Sequence, residues 1–264
     1  MENEAFIRLV VFAGLFALFA VAETVLPRKT RVQPRPSRWF TNWALVVIDS
    51  LSLQAMGWLL PLLAVGAAYD AAQSNWGLFN HLSWPIWVEI VVAVLILDLA
   101  IWAQHLVTHK IPLLWRLHRV HHADRDIDVT TALRFHPVEI LLSMVLKIGL
   151  VYALGPSAVA VILFEVILNG TAMFNHANIR LPLRVDRLLR MVLVTPDMHR
   201  VHHSVHRAEH DSNYGFALSI WDRIFATYVP QPKDGHDAMQ IGLEWQDDKP
   251  SRLEWALWLP LQRK

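Results

Sequence analysis

Apolar positions along this chain run in long unbroken stretches, without the alternating or half-faced patterns of a soluble fold. A bilayer core of ~30 Å takes about 20 apolar residues at 1.5 Å rise each, and several stretches reach that length. Phe6 to Leu26 is the first, with Arg8 and Glu23 near its edges and Pro27 as its stop. Trp43 to Ala68 is the second and carries one acid, Asp49. The third starts at Pro85 and continues through WVEIVVAVLILDLAIWAQHLVTH, so one helix is expected to carry His105 and His109 just beyond its membrane part. Val138 to Leu154 and Ser157 to about Phe174 follow, divided by Gly155 and Pro156. Lys147 inside the former leaves open a shallow hairpin that does not fully cross. Residues 204 to 264 are the least apolar and are expected to form a cap. The final SRLEWALWLPLQRK reads either as an interfacial helix anchored by Trp255 and Trp258 or as a core helix of that cap.

Charge gives the stretches an orientation. The loop RKTRVQPRPSR places Arg28, Lys29, Arg31, Arg35 and Arg38 between the first two spans, and the positive-inside rule makes it cytoplasmic. Residues 69 to 84 hold no Lys or Arg and belong outside, so the third span returns inward and the clustered histidines share the cytoplasmic face. Ala20 to Ala22 look like a cleavage site, but Glu2 and Glu4 precede the apolar run and five basic residues follow it. That reverses the secretory pattern, so the segment is expected to remain a helix. The expected fold is an all-α polytopic membrane bundle with a cytoplasmic histidine-rich cap. Its expected parts are N-terminal helices over 1–84, a catalytic domain over 85–230 and a cytoplasmic or interfacial tail over 231–264.

Composition narrows the chemistry. The chain is 54% hydrophobic and 18% charged, with a net charge of +1, so no strong field draws it to nucleic acid. It has no cysteine, which removes disulfides, thiolate metal sites and iron–sulfur clusters. Metal chemistry therefore falls to the 14 histidines and the acids.

The histidines form three arrays: His105-x3-His109, His118-x2-His121-His122 and His199-x2-His202-His203, the last two being the same pentapeptide HRVHH. At ~100° per residue, positions i, i+3 and i+4 share a helix face, so each array is expected to aim its imidazoles at a common point. Capping or surface roles explain any one array but not the set. Imidazole suits iron, zinc, copper and nickel alike, so ligand type does not choose the metal. The number of ligands exceeds one tetrahedral zinc and fits two ions with positions left for oxygen or water. The Glu-x-x-His pairs of carboxylate di-iron bundles are missing, leaving a histidine-rich di-iron site as the expectation.

Asp98, Trp102, His105 and His109 fall at about 0°, 40°, 340° and 20° on one helix, which makes Asp98 a candidate acceptor for His105. Glu165, Asn169 and Ala172 share a stripe with His176 in the same way, so Glu165 is expected to serve the site, line the substrate cavity or bond to another helix. Asp98 and Glu165 are the candidate catalytic residues. His206, Glu209 and His210 spell H-x-x-E-H, an inverted zinc-peptidase motif, but that reading leaves the clustered histidines unexplained.

With these residues in place, the chain resembles the fatty acid hydroxylase and sterol desaturase superfamily. The resemblance covers roughly residues 90 to 230 and rests on DLAIWAQHLVTH, LWRLHRVHHAD, TALRFHPVE, FNHANIRLP, TPDMHRVHHS and NYGFALSIWDRIFATY. It implies that His105, His109, His118, His121, His122, His199, His202 and His203 are metal ligands and that His176 is a ninth. It also implies that His136 is a near-site residue, and His206 and His210 are left out. TALR and the TP before the third array resemble the alkylglycerol monooxygenase branch, which uses tetrahydrobiopterin; other branches draw electrons from cytochrome b5-like or ferredoxin-like donors. No G-x-G-x-x-G is present, so the donor is expected to be separate.

The expected activity is O2-dependent hydroxylation or desaturation of a lipid C–H bond by two irons. The rivals are a non-enzymatic metal-binding or transport protein and a bis-histidine haem protein. A transport site belongs near the bilayer midplane, whereas these histidines sit at helix ends.

Overall fold

The computed structural model describes residues 4–59 and 63–262. Its helices are α1 (Glu4–Val25), α2 (Arg35–Leu59), α3 (Ala64–Gln73), α4 (Ile86–Lys110), α5 (Pro112–His122), α6 (Pro137–Leu154) and α7 (Ala158–His176). Six short helices follow: α8 (Leu183–Leu189), α9 (Pro196–His202), α10 (Arg207–His210), α11 (Ile220–Ile224), α12 (Gly235–Ala238) and α13 (Leu253–Trp258). Among the described residues there is no strand, only isolated bridges such as Ser204 with Ile241.

α1, α4, α6 and α7 are long and apolar enough to cross a membrane. Their outer faces carry exposed Phe6, Leu9, Leu18, Trp87, Val91, Leu95, Leu142, Val145 and Ile167, a surface that lipid would cover. The chain is an integral membrane protein. α7 is the central helix, packed against α1, α3, α4 and α9.

The second expected span differs. Its described parts are α2 up to Leu59 and α3 from Ala64, and residues 60–62 of the expected stretch lie outside the described part. α2 also begins earlier than that stretch, at Arg35, and Arg38, Thr41 and Asn42 of its first turns are buried in the polar core of the cap. α6 and α7 are both long and apolar enough to cross a membrane and pair as a helical hairpin. Its turn depends on Gly155 at φ 67°. Gly77 packs against it so closely that a Cβ there would lie 2.2 Å from the Gly155 nitrogen. Glu89 on α4 accepts the Ser157 amide at 2.7 Å and ties the same end together.

At the opposite end the basic loop is stitched to the cap. Arg28 pairs with Asp197 at 3.3 Å and with Asp237, Lys29 Nζ donates to the His236 carbonyl at 3.1 Å, and Arg31 and Arg35 each reach Glu23 at 3.4 Å. The loop therefore lies on the same face as α9 and its histidines. Arg38 is fully buried and donates to Asp124 and Asp128, each at 2.7 Å. Burial works against the Asp124 charge, but Arg38 outweighs it and holds the carboxyl at about 2. Asp124, Asp126 and Asp128 are thus taken up by a guanidinium and by the Val32 and Gln33 amides. The tail closes the cap, with Ala256 and Leu259 packing on Leu45, Val120 and Ala123 while Trp258 stays exposed. Residues 263 and 264 of the last segment lie outside the described part.

Candidate metal centre

α4 and α7 deliver their last turns into the cap, and α5 and α9 lie across those ends. The histidines at these four junctions come together as two buried groups. One holds His105, His109, His118, His122 and His202; the other holds His121, His176, His199 and His203, and within each group the ligand atoms lie within 4.8 Å of one another. These are the nine candidate ligand positions. Each HRVHH is divided, and does not converge on a point. His118 and His122 face the first group and His121 the second, whereas His199 and His203 face the second and His202 the first. The physical reason is angular: i and i+4 differ by about 40° but i+3 and i+4 by about 100°, so a helix lying between two sites feeds both.

Hydrogen bonding at the far ring nitrogens sets the tautomers. His105 Nδ1 donates to the Tyr214 carbonyl at 2.7 Å, His202 Nδ1 to the Ser212 carbonyl at 2.6 Å and His118 Nδ1 to Glu139 Oε1 at 2.6 Å. In the second group His176 Nδ1 donates to the Ala172 carbonyl at 2.7 Å and His121 Nδ1 to the Arg134 carbonyl at 3.2 Å. A neutral ring with its proton on Nδ1 has a lone pair on Nε2. Yet Nε2 of His105 lies 3.0 Å from Nε2 of both His118 and His202, and Nε2 of His176 lies 3.1 Å from that of His121 and 3.0 Å from that of His199. Lone pairs at that range repel unless a cation sits between them. With metal–nitrogen bonds of about 2.1 Å, ligands at right angles stand about 3.0 Å apart, so the separations fit a coordination sphere.

The remaining nitrogens fit as well. Both ring nitrogens of His109, His122 and His203 are buried with no hydrogen-bond partner among the described residues. Burial, then the neighbouring imidazoles, push His121, His122, His199, His202 and His203 well below the ordinary imidazole value, which keeps them in the form that binds metal.

Asp98 does not meet His105. It accepts from Trp221 Nε1 at 2.8 Å and the Leu218 amide at 3.2 Å. Sharing a stripe is not sharing a height, since seven residues of helix set the two about 10 Å apart. The acid behind His105 is Asp222, which accepts from the Tyr214 and Gly215 amides at 2.8 and 2.9 Å and from Trp102 Nε1 at 3.0 Å. It thereby fixes the turn whose carbonyls hold His105 and His202. Glu165 bonds Lys147 Nζ at 2.9 Å and also Arg8, a link between helices below the histidines and out of reach of them. Glu139 was missed as a ligand partner; it stands in the FHPVE segment, and only its contact across the fold shows its role. His136 caps α6 through the Val138 amide. His206 pairs with Asp234, Glu209 with the Lys233 amide, and His210 stacks on Trp115, so H-x-x-E-H forms no centre.

Three hollows surround the groups. A cavity of about 180 Å³ beneath His105 and His118 is lined by Gln104, Glu139, Ser143, Lys147, Asn169 and Phe216 among others. It shares Gln104, Thr108 and Glu139 with an apolar groove of about 510 Å³ between α4, α5 and α6, walled by Val107, Leu114, Leu142 and Leu146. On the other side, a polar hollow of about 600 Å³ lies over His109, with Lys110, Arg116, Arg119 and Arg207 at its walls.

A membrane-length helical bundle bearing two buried polyhistidine groups at one end defines a membrane protein with two candidate metal positions. The chain belongs to the fatty acid hydroxylase family, whose model matches residues 90–227, from within α4 to just past α11. Among curated proteins it is similar to ornithine lipid hydroxylase OlsE of Rhizobium tropici, 27% identical over 227 residues, covering 85% of this chain and 67% of that one. It is also 32% identical to the alkylglycerol monooxygenases of Xenopus tropicalis over 152 residues and of Homo sapiens over 164 residues. Those matches cover 56% and 61% of this chain, which spans only 31% and 35% of the two relatives. No solved structure matches the chain.

Proposed function

We propose that this protein hydroxylates a membrane lipid with O2, using two irons held by the five-histidine and four-histidine groups. The observation that carries the reading is the convergence of unprotonated Nε2 atoms at the head of a cavity that adjoins an apolar groove between membrane-length helices. The names of the similar proteins, a lipid hydroxylase and two monooxygenases, support hydroxylation over desaturation.

The balance is one C–H bond, one O2, two electrons and two protons giving one C–OH and one water. Bound iron would supply the reduction and cleavage of O2 that no side chain provides. The residues do the rest. The Tyr214, Ser212, Ala172 and Arg134 carbonyls and the Glu139 carboxylate hold the imidazoles in one tautomer and one orientation. Phe135 stacks on His121, and Phe216 lies 4.9 Å from the His105 ring, keeping the cavity head dry. A lipid tail enters sideways along the apolar groove between α4 and α6. Electrons come from a separate donor, cytochrome b5-like, ferredoxin-like or a pterin, and the polar hollow over His109 is its natural approach. The five basic residues of the loop joined to the cap support a cytoplasmic location for this face.

The test is metal analysis of the detergent-purified protein with lipid analysis of cells that do and do not make it. About two irons per chain, an oxygenated lipid, and loss of both in His118→Ala and His202→Ala are expected. Protein with no metal and unchanged activity in those variants would end the proposal.

A further inference from the structure

The cavity below the histidines is not the plain hydrocarbon slot that a simple acyl chain requires. On α6, Glu139, Ser143 and Lys147 stand at i, i+4 and i+8, one stripe that faces the cavity as it descends from the histidines. Gln104 on α4 and Asn169 on α7 line it from the other walls. Ser143 donates its hydroxyl to Gln104 Oε1 at 3.3 Å, which leaves the Gln104 amide N–H pair as donors. Lys147 spends one N–H on Glu165 at 2.9 Å and has two more. Polar side chains at this depth of a membrane protein mark a functional site, and here donors predominate.

We infer that Gln104, held by Ser143, and Lys147 form a hydrogen-bond donor subsite for a neutral lipid oxygen, the ether, ester or amide oxygen of a lipid backbone, and that this subsite sets which carbon is oxidised. The inference rests on the proposed lipid hydroxylation and names its substrate class. Gln104 adjoins His105, and Ser143 stands one turn, about 6 Å, below Glu139, so the bound oxygen lies within a few bonds of the reacting carbon. Size agrees. The cavity of about 180 Å³ takes a short chain segment, while the apolar groove of about 510 Å³ that adjoins it takes the tail. Because Glu165 already meets Lys147, and Gln104 and Ser143 are uncharged, a neutral oxygen suits the subsite better than a free carboxylate.

The full chain in lipid nanodiscs is offered a 1-O-alkylglycerol, an N-acyl amino-acid lipid, palmitate and a sterol. Turnover and product position are measured on the iron-loaded protein, and thermal stabilisation by each lipid on the metal-free protein. Expected are hydroxylation close to the ether or amide oxygen, stabilisation by those two lipids, and a three- to tenfold rise in KM with a spread of product positions in Ser143→Ala and Gln104→Leu. Palmitate or sterol turned over as well as the other two, at carbons far from any oxygen, would overturn the inference and leave lipid hydroxylation standing. No oxidation of any lipid by iron-loaded protein would instead sink the hydroxylase reading. Stabilisation of the metal-free protein then still decides the subsite: selective stabilisation by the ether and amide lipids, lost in both variants, supports it, and equal or absent stabilisation refutes it.

Discussion

His118 Nδ1 donates to Glu139 Oε1 at 2.6 Å, joining the start of the first HRVHH array on α5 to the first turn of α6. The contact holds the His118 ring with Nε2 toward His105 and ties the head of the cavity to the helix that forms its wall. Glu139→Ala is expected to lower metal affinity by about 10- to 100-fold. Glu139→Gln, which still offers an acceptor, is expected to lose less. Iron content after dialysis against a graded chelator measures both.

The split arrays make a stoichiometric prediction. His105→Ala removes a ligand from the five-histidine group only, and His176→Ala from the four-histidine group only. Each variant is expected to retain about one metal per chain, with distinct spectra. If either change emptied both sites equally, the division of the arrays would be wrong.

Asp222 and Asp98 exchange importance relative to the reading from helical phase. Asp222→Ala strands the Tyr214 and Gly215 amides and Trp102 Nε1 in a buried site and is expected to cost roughly 3 kcal/mol or more. Metal should be lost with it, because the carbonyls holding His105 and His202 lie in that turn. Asp98→Asn keeps an acceptor for Trp221 and should retain both metals. Thermal unfolding in detergent and metal content rank the two.

His236 supplies a pH dependence outside the centre. Burial, together with Arg200 and Arg28, lowers its value from 6.5 to about 4 against the opposing pull of Asp197. The folded residue stays neutral where the unfolded chain takes up a proton, so its contribution is complete above about pH 6.5 and is lost as the pH falls toward 4. The size is on the order of 3 kcal/mol, at ~1.4 kcal/mol per unit. The clustered histidines push in the same direction, so the contribution is read by difference. Between pH 7.5 and 5 the melting temperature of metal-free protein should fall less in His236→Gln than in the parent, and equal falls would refute the assignment.

Much of this protein was legible in the order of its residues. The apolar stretches ending at Val25, Lys110, Leu154 and His176 set helices of membrane length, because a bilayer leaves backbone polar groups no other solution. Histidine spacing marked the candidate ligand positions that the fold brings together, since i and i+4 share a helix face. The two-group division, the groups that hold the rings and the shape of the cavity belonged to tertiary structure. Phase along one helix gives an angle but not the partner across the gap, so Asp98 was aligned with His105 and yet too far along the axis to touch it. Carbonyls of Ser212, Tyr214, Ala172 and Arg134 orient four rings, and every residue has a carbonyl, so no side-chain pattern could single them out. Glu139 and Glu165 are both acids in helices beside the site. Only the packing of α5 and α7 against α6 put one on His118 and the other on Lys147.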